Sequence, residues 1–384
     1  MLEYSKEDLR IGIDARITGY REGGISRYGR ALAHAFSHMD TTDQFTIFQN
    51  WRHRESIVQG KNVSTSYLVT PPHHRWEQWT LPIELTIHKV DLLHSIDFIP
   101  PFRRPCASVI TVHDLAFVRM PHIMTGESLR YYLQVGKAVK NTDGIIADSQ
   151  VTKNDIVDLL GVSGRSVDVI HPGLDSAFRP LDNRQVKRFC QEKGIPASFM
   201  LWVSTIEPRK NLDVLLKTVA LVRGKLPSEK RTLVVAGAQG WLSDHTFAEM
   251  SSLQSSGDVV YLGQISQDDL LHLYNAAWLF IFTSLYEGFG LPPLEAMACG
   301  TPVISSNSPA MPEVLGDAAM YFTPDDPDTL AEKVLSLSKD ESLRRRMSEA
   351  GLKQASRYTW EEAARQTLAV YQRAYPERGR KAGA

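Results

Sequence analysis

Two glutamates eight positions apart, Glu287 and Glu295, stand in the run Ser284-Leu-Tyr-Glu-Gly-Phe-Gly-Leu-Pro-Pro-Leu-Glu-Ala-Met-Ala-Cys-Gly300. Glu287 falls in a glycine-rich loop after the apolar run Leu279–Thr283. Glu295 falls about one turn into a helix that Pro292 and Pro293 start and Gly300 ends. Carboxylates so placed accept hydrogen bonds from hydroxyls, which points to polyol ligands such as a sugar or a ribose. Service to the helix start alone is the plain alternative. Gly288 and Gly290 open the backbone between them to close approach. A second cluster, Ser204-Thr-Ile-Glu-Pro-Arg-Lys-Asn211, follows the run Met200–Ser204. Pro208 suits the first position of a helix, with Glu207 in its first turn. Arg209 and Lys210 are then two cations against the dipole preference of a helix start. A diphosphate would offset that cost; solvated surface charge is the alternative.

Three further segments carry weaker signals. His113 and Asp114 follow the apolar run Val109–Val112, where α/β folds place ligands. Asp114 could orient the imidazole or bond nearby backbone. Gly19, Gly23 and Gly24 open a loop after Ile11–Asp14, before a helix near Ser26 whose amides could meet an anion. Their spacing is not that of the G-x-G-x-x-G dinucleotide fingerprint. The His73–Trp79 stretch mixes cations and aromatics suited to a sugar, or packs its tryptophans into the core as an amphipathic helix. Asp326-Pro-Asp328 reads as a helix cap rather than a metal site. Signatures of zincins, P-loop proteins and α/β-hydrolases do not occur.

The elements that must hold these residues alternate. Short apolar runs and helix-period segments follow one another, the pattern of parallel sheets covered by helices. Strands are expected at Ile11–Asp14, Phe45–Phe48, Val90–Ser95, Val109–Val112, Gly144–Ala147 and Val167–His171. A second series runs Met200–Ser204, Thr232–Gly237, Val259–Leu262, Leu279–Thr283 and Pro302–Ser305. Expected helices include Ser26–Met39, Leu129–Val139, Leu212–Arg223, Gln267–Ala277, Leu291–Cys299 and Asp328–Leu337. His171–Pro196 lacks strong periodicity and reads as a linker between two α/β halves. A ligand cleft at the carboxyl ends of the strands is then expected.

The 384 residues carry 43 Lys plus Arg against 44 Asp plus Glu, a formal net charge of −1. Such a balance gives no footprint for bulk nucleic-acid binding. Three widely spaced cysteines, Cys106, Cys190 and Cys299, argue against a disulfide framework and suit a reducing compartment. The charged start MLEYSKEDLR does not read as a signal peptide, and no apolar run approaches a membrane span. A cytoplasmic protein is expected. The cations among Arg27–Arg30 and Phe102–Arg104 are compatible with peripheral membrane contact but too few to require it. Oligomeric state is not legible.

Together these motifs resemble one family. The run from Glu287 to Ile304 is similar to the E-x7-E signature of the retaining glycosyltransferases called group 1 or family 4. Glu207–Asn211, His113–Asp114, Gly23–Tyr28 and the ending Tyr358–Glu362 resemble the same family. The resemblance implies an α/β fold of the GT-B type, two Rossmann-like domains facing across a cleft. Residues 1–178 would bind the acceptor and 179–357 the nucleotide sugar, with the C-terminal helix within 358–384 returned to the first domain. It further implies a diphosphate clamp of Arg209 and Lys210, with Gly23 and Gly24 near the diphosphate and Ser204 at the donor edge. Glu295 would bind the ribose, while Glu287 with Gly288, Phe289, Gly290 and Leu291 would hold the donor sugar. His113 would stand at the reacting carbon, and Gln264 and Ile265 at the base pocket. Many relatives carry an arginine where this chain has Ser204, which leaves more of the leaving-group charge to Arg209 and Lys210.

The branch with Ser or Thr there, and the Trp76–Pro82 run, point to a mannosyltransferase. The expectation is metal-independent transfer of a hexosyl group, mannosyl from GDP-mannose, to a glycan or lipid-linked saccharide, with retention and no cofactor. A GT-B sugar-nucleotide epimerase and a catalytically silent sugar-nucleotide binder are the alternatives.

Overall fold

The computed structural model describes residues 8–19, 23–74, 76–123, 126–227 and 230–381. The chain forms two units, one of residues 1–173 with 359–384 and the other of residues 174–358. The first unit holds a seven-stranded parallel sheet: β1 Arg10–Asp14, β2 Gln44–Asn50, β3 Val63–Leu68, β4 Leu92–Ser95, β5 Ala107–Val112, β6 Gly144–Ala147 and β7 Val167–Val169. Their order is β3-β2-β1-β4-β5-β6-β7. The second unit holds a six-stranded parallel sheet: β8 Met200–Val203, β9 Leu233–Ala236, β10 Val259–Tyr261, β11 Leu279–Phe282, β12 Val303–Ser306 and β13 Ala319–Phe322. There the order is β10-β9-β8-β11-β12-β13. In each sheet the strand order reverses beside the first strand, between β1 and β4 and between β8 and β11. Open α/β sheets bind ligands beyond the carboxyl ends of such neighbours.

Central strands of these sheets are buried on both faces, so they read as continuous apolar runs. Every residue of β5, β9 and β11 is buried. The edge strands β3 and β13 were absent from the sequence reading, because VSTSYL and AMYF mix polar or half-buried positions on a sheet margin. The expected linker 171–196 contains the helix Asn183–Lys193. Only Val186, Phe189 and Cys190 are buried on it, three apolar positions in an otherwise strongly polar segment. Asp182 caps its start and Gly194, at φ 64°, ends it. The expected helix Leu129–Val139 is two helices, Gly126–Tyr132 and Val135–Lys140.

The unit boundary falls at Gly173/Leu174 and Tyr358/Thr359 rather than at 178/179 and 357/358. Two strands of chain pass at this point. The Leu174 amide donates to the Tyr358 carbonyl at 3.0 Å, and the Tyr358 hydroxyl donates to the Val314 carbonyl at 2.9 Å. Gly173 lies so close to Trp360 that a Cβ would stand 2.2 Å from its amide nitrogen, which reserves this position for glycine. The helix Trp360–Lys381 then packs Ala364, Leu368, Val370 and Tyr371 into a core with Ile11, Ile13, Phe36 and Phe45 of the first unit. Among the described residues no helix is long and apolar enough to cross a membrane.

Candidate functional site

The second unit brings the two motif clusters together at its switch point, because β8 and β11 are neighbours. The loop after β8 is fastened first to the loop after β9. Gly237, at φ 145°, passes Ser204 so closely that a Cβ would meet the Ser204 carbonyl at 1.8 Å. The Ile206 amide donates to the Ala238 carbonyl at 2.9 Å, and Gly240 N–H returns to the Ile206 carbonyl at 3.0 Å. Pro208–Lys210 is a single 3-10 turn, and Asn211 at φ 51° separates it from the helix Leu212–Val222. Arg209 and Lys210 thus stand near a helix start, as expected, in a separate turn before it, and Glu207 precedes that turn rather than lying within it. The left-handed residue breaks the backbone there, and the Asn211 amide group fixes it by donating to the Pro324 carbonyl at 2.8 Å. Two bonds tie this turn to the loop after β11: Leu285 N–H to the Arg209 carbonyl at 2.9 Å, and the Thr283 hydroxyl to the Lys210 carbonyl at 2.6 Å.

The side chains form one ionic cluster. Arg209 donates through Nε to Glu207 Oε1 at 3.2 Å and through Nη1 to Glu287 Oε2 at 3.1 Å and the Tyr286 carbonyl at 3.2 Å. Lys210 Nζ donates to Glu287 Oε1. Burial alone would raise the Glu287 carboxyl, but Arg209 and Lys210 outweigh it and hold the group at about 2. Glu287 is therefore an ionised acceptor at any physiological pH. Lysine has three donors, so Lys210 can meet Glu287 and a second anion together. Gly290, at φ 91°, turns the loop into the helix Leu291–Ala298, and a Cβ there would strike Met311 Cε at 2.5 Å. Gly288 and Phe289 are buried, and the Phe289 ring meets Tyr358 edge-on at 5.4 Å. Glu295 is buried on the helix, one oxygen accepting the Tyr274 hydroxyl at 2.8 Å. Gln264 is exposed and Ile265 half-buried in the loop after β10, which Gly237 N–H holds through the Gly263 carbonyl at 2.7 Å.

Gly23, Gly24 and His113 belong to the first unit. Gly23 caps the helix Gly24–Ser37 with extended backbone, and a Cβ at either glycine would meet nothing within 4 Å. His113 follows β5, and its oriented partner is not its neighbour. Nδ1 meets Asp148 Oδ2 at 2.7 Å and Nε2 meets the Ile96 carbonyl at 2.8 Å. Both partners accept, so both ring nitrogens donate and the ring is an imidazolium. Burial opposes that charge, but Asp148 overcomes it and raises the imidazole to about 9. Asp114 instead accepts the Ala116 amide at 2.9 Å, just before the short helix that follows. Asp148 escaped the sequence reading although it stands directly after β6, the same kind of strand end that drew attention to His113.

Beneath His113, the Tyr28 ring packs edge-on at 4.8 Å. His94 is wholly buried, its Nδ1 2.6 Å from the Tyr371 hydroxyl and its Nε2 2.8 Å from Thr111 Oγ1. Burial pushes this imidazole down to about 3, so it is neutral. The tryptophans at 76 and 79 do not enter the core. Trp76, Trp79, Ile83 and Ile87 are 55%, 72%, 64% and 70% exposed along the helix Glu77–His88, whose first residue turns inward instead. The capping reading of Asp326 holds, its carboxylate accepting the Thr329 amide at 2.9 Å.

Residues 22–178 match the family Glycosyltransferase Family 4, and residues 184–354 match Glycosyl transferases group 1. The chain belongs to the group 1/family 4 glycosyltransferases, and its architecture is GT-B. It is 29% identical over 372 residues to O-antigen chain mannosyltransferase B of Escherichia coli, covering 91% of this chain and 95% of that one. It is also 29% identical over 289 residues to the D-inositol 3-phosphate glycosyltransferase of a Nocardioides species, spanning 70% of this chain and 62% of that one. Among solved structures, Anabaena Alr3699/HepE in complex with UDP and glucose superposes with a TM-score of 0.74 at 18% identity, over 95% of this chain and 99% of that one.

Proposed function

We propose that this glycosyltransferase moves a mannosyl group from GDP-mannose to a saccharide hydroxyl, with retention at the anomeric carbon and without a metal. The observation that carries the reading is the Arg209–Lys210–Glu287 cluster at the switch point of the second sheet. Departure of a nucleoside diphosphate leaves negative charge on its oxygens. Preorganised cations and amides stabilise such charge best where water is excluded. Arg209 and Lys210 supply the cations, and Glu287, kept ionised by them, accepts hydroxyls of the donor sugar. Glu295 takes the ribose and the Gln264–Ile265 loop the base. We assign His113 to the reacting sugar. With both ring nitrogens committed to Asp148 and the Ile96 carbonyl, it serves as a fixed positive charge and not as a base. Among the described residues no carboxylate stands as an evident nucleophile with a partner acid, which sets the site apart from glycosidase chemistry and favours front-face attack by the acceptor.

The mannosyl donor is supported by the O-antigen mannosyltransferase relative and by Ser204 in place of a cation after β8. The stripe of Trp76, Trp79, Ile83 and Ile87 supports a peripheral seat on a lipid surface, since tryptophan favours the headgroup interface. Thermal shift with GDP-mannose, GDP and UDP-glucose tests the donor, because ligand bound to the native state raises its apparent stability. GDP-mannose should shift the transition most. A preference for UDP-glucose overturns the mannosyl assignment, and release of free nucleoside diphosphate only when a saccharide is present separates transfer from epimerisation. EDTA should leave the rate unchanged.

A further inference from the structure

The helix Gln267–Ala276 of the second unit precedes β11 and carries Tyr274 on its buried face. The ring is wholly buried and meets two other aromatics edge-on, Phe178 at 5.7 Å and Phe280 at 5.5 Å. Such edge-to-face contacts are a favoured geometry of aromatic packing. The Tyr274 carbonyl accepts the Thr301 hydroxyl at 2.5 Å, just past the end of the helix that carries Glu295. Ring and backbone are thus both held, and packing sets the direction of the phenolic hydroxyl.

That hydroxyl donates to Glu295 Oε2 at 2.8 Å. Phenylalanine would fill the same apolar surroundings without a polar group to satisfy, so the hydroxyl is there for the carboxylate. Glutamate turns about three side-chain bonds, and fixing such a side chain is part of the cost of binding a ligand through it. A donor on Oε2 fixes the plane of the carboxylate, and with it the direction of Oε1, before a ligand arrives. An ionised carboxylate has sites for about four donors, so one tyrosine does not exhaust it. The neighbouring thiol adds no competing charge. Burial, reinforced by the Glu295 carboxylate, pushes Cys299 up to about 12, which keeps it a neutral S–H.

We infer that Tyr274 is a positioning residue for the nucleotide: its hydroxyl orients Glu295 so that the carboxylate accepts ribose hydroxyls and selects ribonucleotides over their deoxy forms. The inference rests on the assignment of Glu295 to the ribose and does not depend on the base or the sugar of the donor. Calorimetric titration of the full chain with GDP and 2′,3′-dideoxy-GDP, and with UDP and 2′,3′-dideoxy-UDP, gives a ribose ratio for each base. The ratio is read on the base that binds tighter. Wild type should bind the ribo form at least about tenfold more tightly than the dideoxy form, the scale of one charged hydrogen bond. Tyr274→Phe keeps the ring between its aromatic neighbours and removes only the donor. It should bind the ribo form about tenfold more weakly and the dideoxy form within about twofold of wild type, so that the ratio falls toward one. A residue acting only through stability would weaken both forms alike. In a Glu295→Ala background no carboxylate remains to orient, and Tyr274→Phe should change neither form by more than about twofold. A wild-type ratio kept by Tyr274→Phe, equal weakening of both forms, or an undiminished loss in the Glu295→Ala background overturns the positioning role and leaves Glu295 on the ribose. A ratio near one already in wild type refutes the ribose assignment, and this inference with it. Tighter binding of the uridine pair removes GDP-mannose as the donor and leaves the role of Tyr274 standing.

Discussion

Lys210→Ala removes one of the two cations on Glu287 and separates a catalytic role from a structural one. The stability side can be bounded from the carboxyl itself. Glu287 lies at about 2 against an ordinary 4.5. At 1.36 kcal/mol per unit, the ionised carboxylate with its partners therefore contributes roughly 3 kcal/mol to the folded state, net of its burial. The sign follows from the depressed value: this contribution is present above pH 4.5 and is lost as pH falls toward 2. Arg209 stays on Glu287 in the variant, so about half should remain and the loss should be about 1–2 kcal/mol. The turnover side is larger. Deleting one preorganised donor to a developing oxyanion costs about 10²–10³ in kcat, roughly 3–4 kcal/mol. Initial rates with GDP-mannose and a manno-oligosaccharide, beside urea unfolding of the same preparations, measure both. Lys210→Arg keeps the charge and should recover most of the loss in stability and part of the loss in rate. If Lys210→Ala keeps kcat within threefold of wild type while losing the expected stability, the ion pair is only structural and the diphosphate clamp is wrong.

Two further perturbations address the first unit. Asp148→Asn should drop the His113 imidazole well below its value of about 9, because a neutral amide cannot balance the ring. A raised histidine gives stability that is complete below its ordinary 6.5 and lost as pH rises through 9. Urea midpoints of wild type should therefore fall between pH 7 and 10 by an equivalent of about 2–3 kcal/mol, and those of Asp148→Asn should not. Parallel slopes in the two proteins would disprove the imidazolium assignment. Tyr371→Phe strips the hydroxyl from His94 Nδ1 inside the core, where an unsatisfied polar atom costs about 1–3 kcal/mol. Calorimetry should show a transition lowered by roughly 2–8 °C. An unchanged transition would mean that the returning helix does not depend on this bond.

What could be read in the sequence follows from how locally it is encoded. Each ligand loop was visible by itself, since a glycine or proline cluster after a continuous apolar run marks the end of a buried parallel strand. Which loops meet is a property of strand order, and no local pattern records that β8 lies beside β11. Arg209 and Lys210 were thus legible as a pair of cations in want of an anion. That Glu287 is their resident partner was not. His113 shows the same limit in sharper form, because Asp114 was adjacent in sequence while Asp148, delivered by the next strand of the sheet, holds the ring. The edge strands β3 and β13 and the helix Asn183–Lys193 were missed for a different reason. The two strands bury only part of their length, and the helix is polar apart from three buried positions, so neither shows a continuous apolar run.

The helix Glu77–His88 shows why the pattern alone misled at one point. An amphipathic segment with two tryptophans fixes the existence of two faces and not which one turns inward. Large apolar side chains normally decide the matter. Here Arg16 is wholly buried, and a buried guanidinium must find anionic acceptors or destabilise the fold by several kcal/mol. Glu77 meets that demand by facing inward, and the helix then presents Trp79, Ile83 and Ile87 to the outside. The requirement of one buried charge thus places an acidic residue on the inner face and an apolar stripe on the surface. The packing of tryptophans into the core, one of the two alternatives for this stretch, is thus replaced by the packing of Glu77, with Trp79 on the outer face.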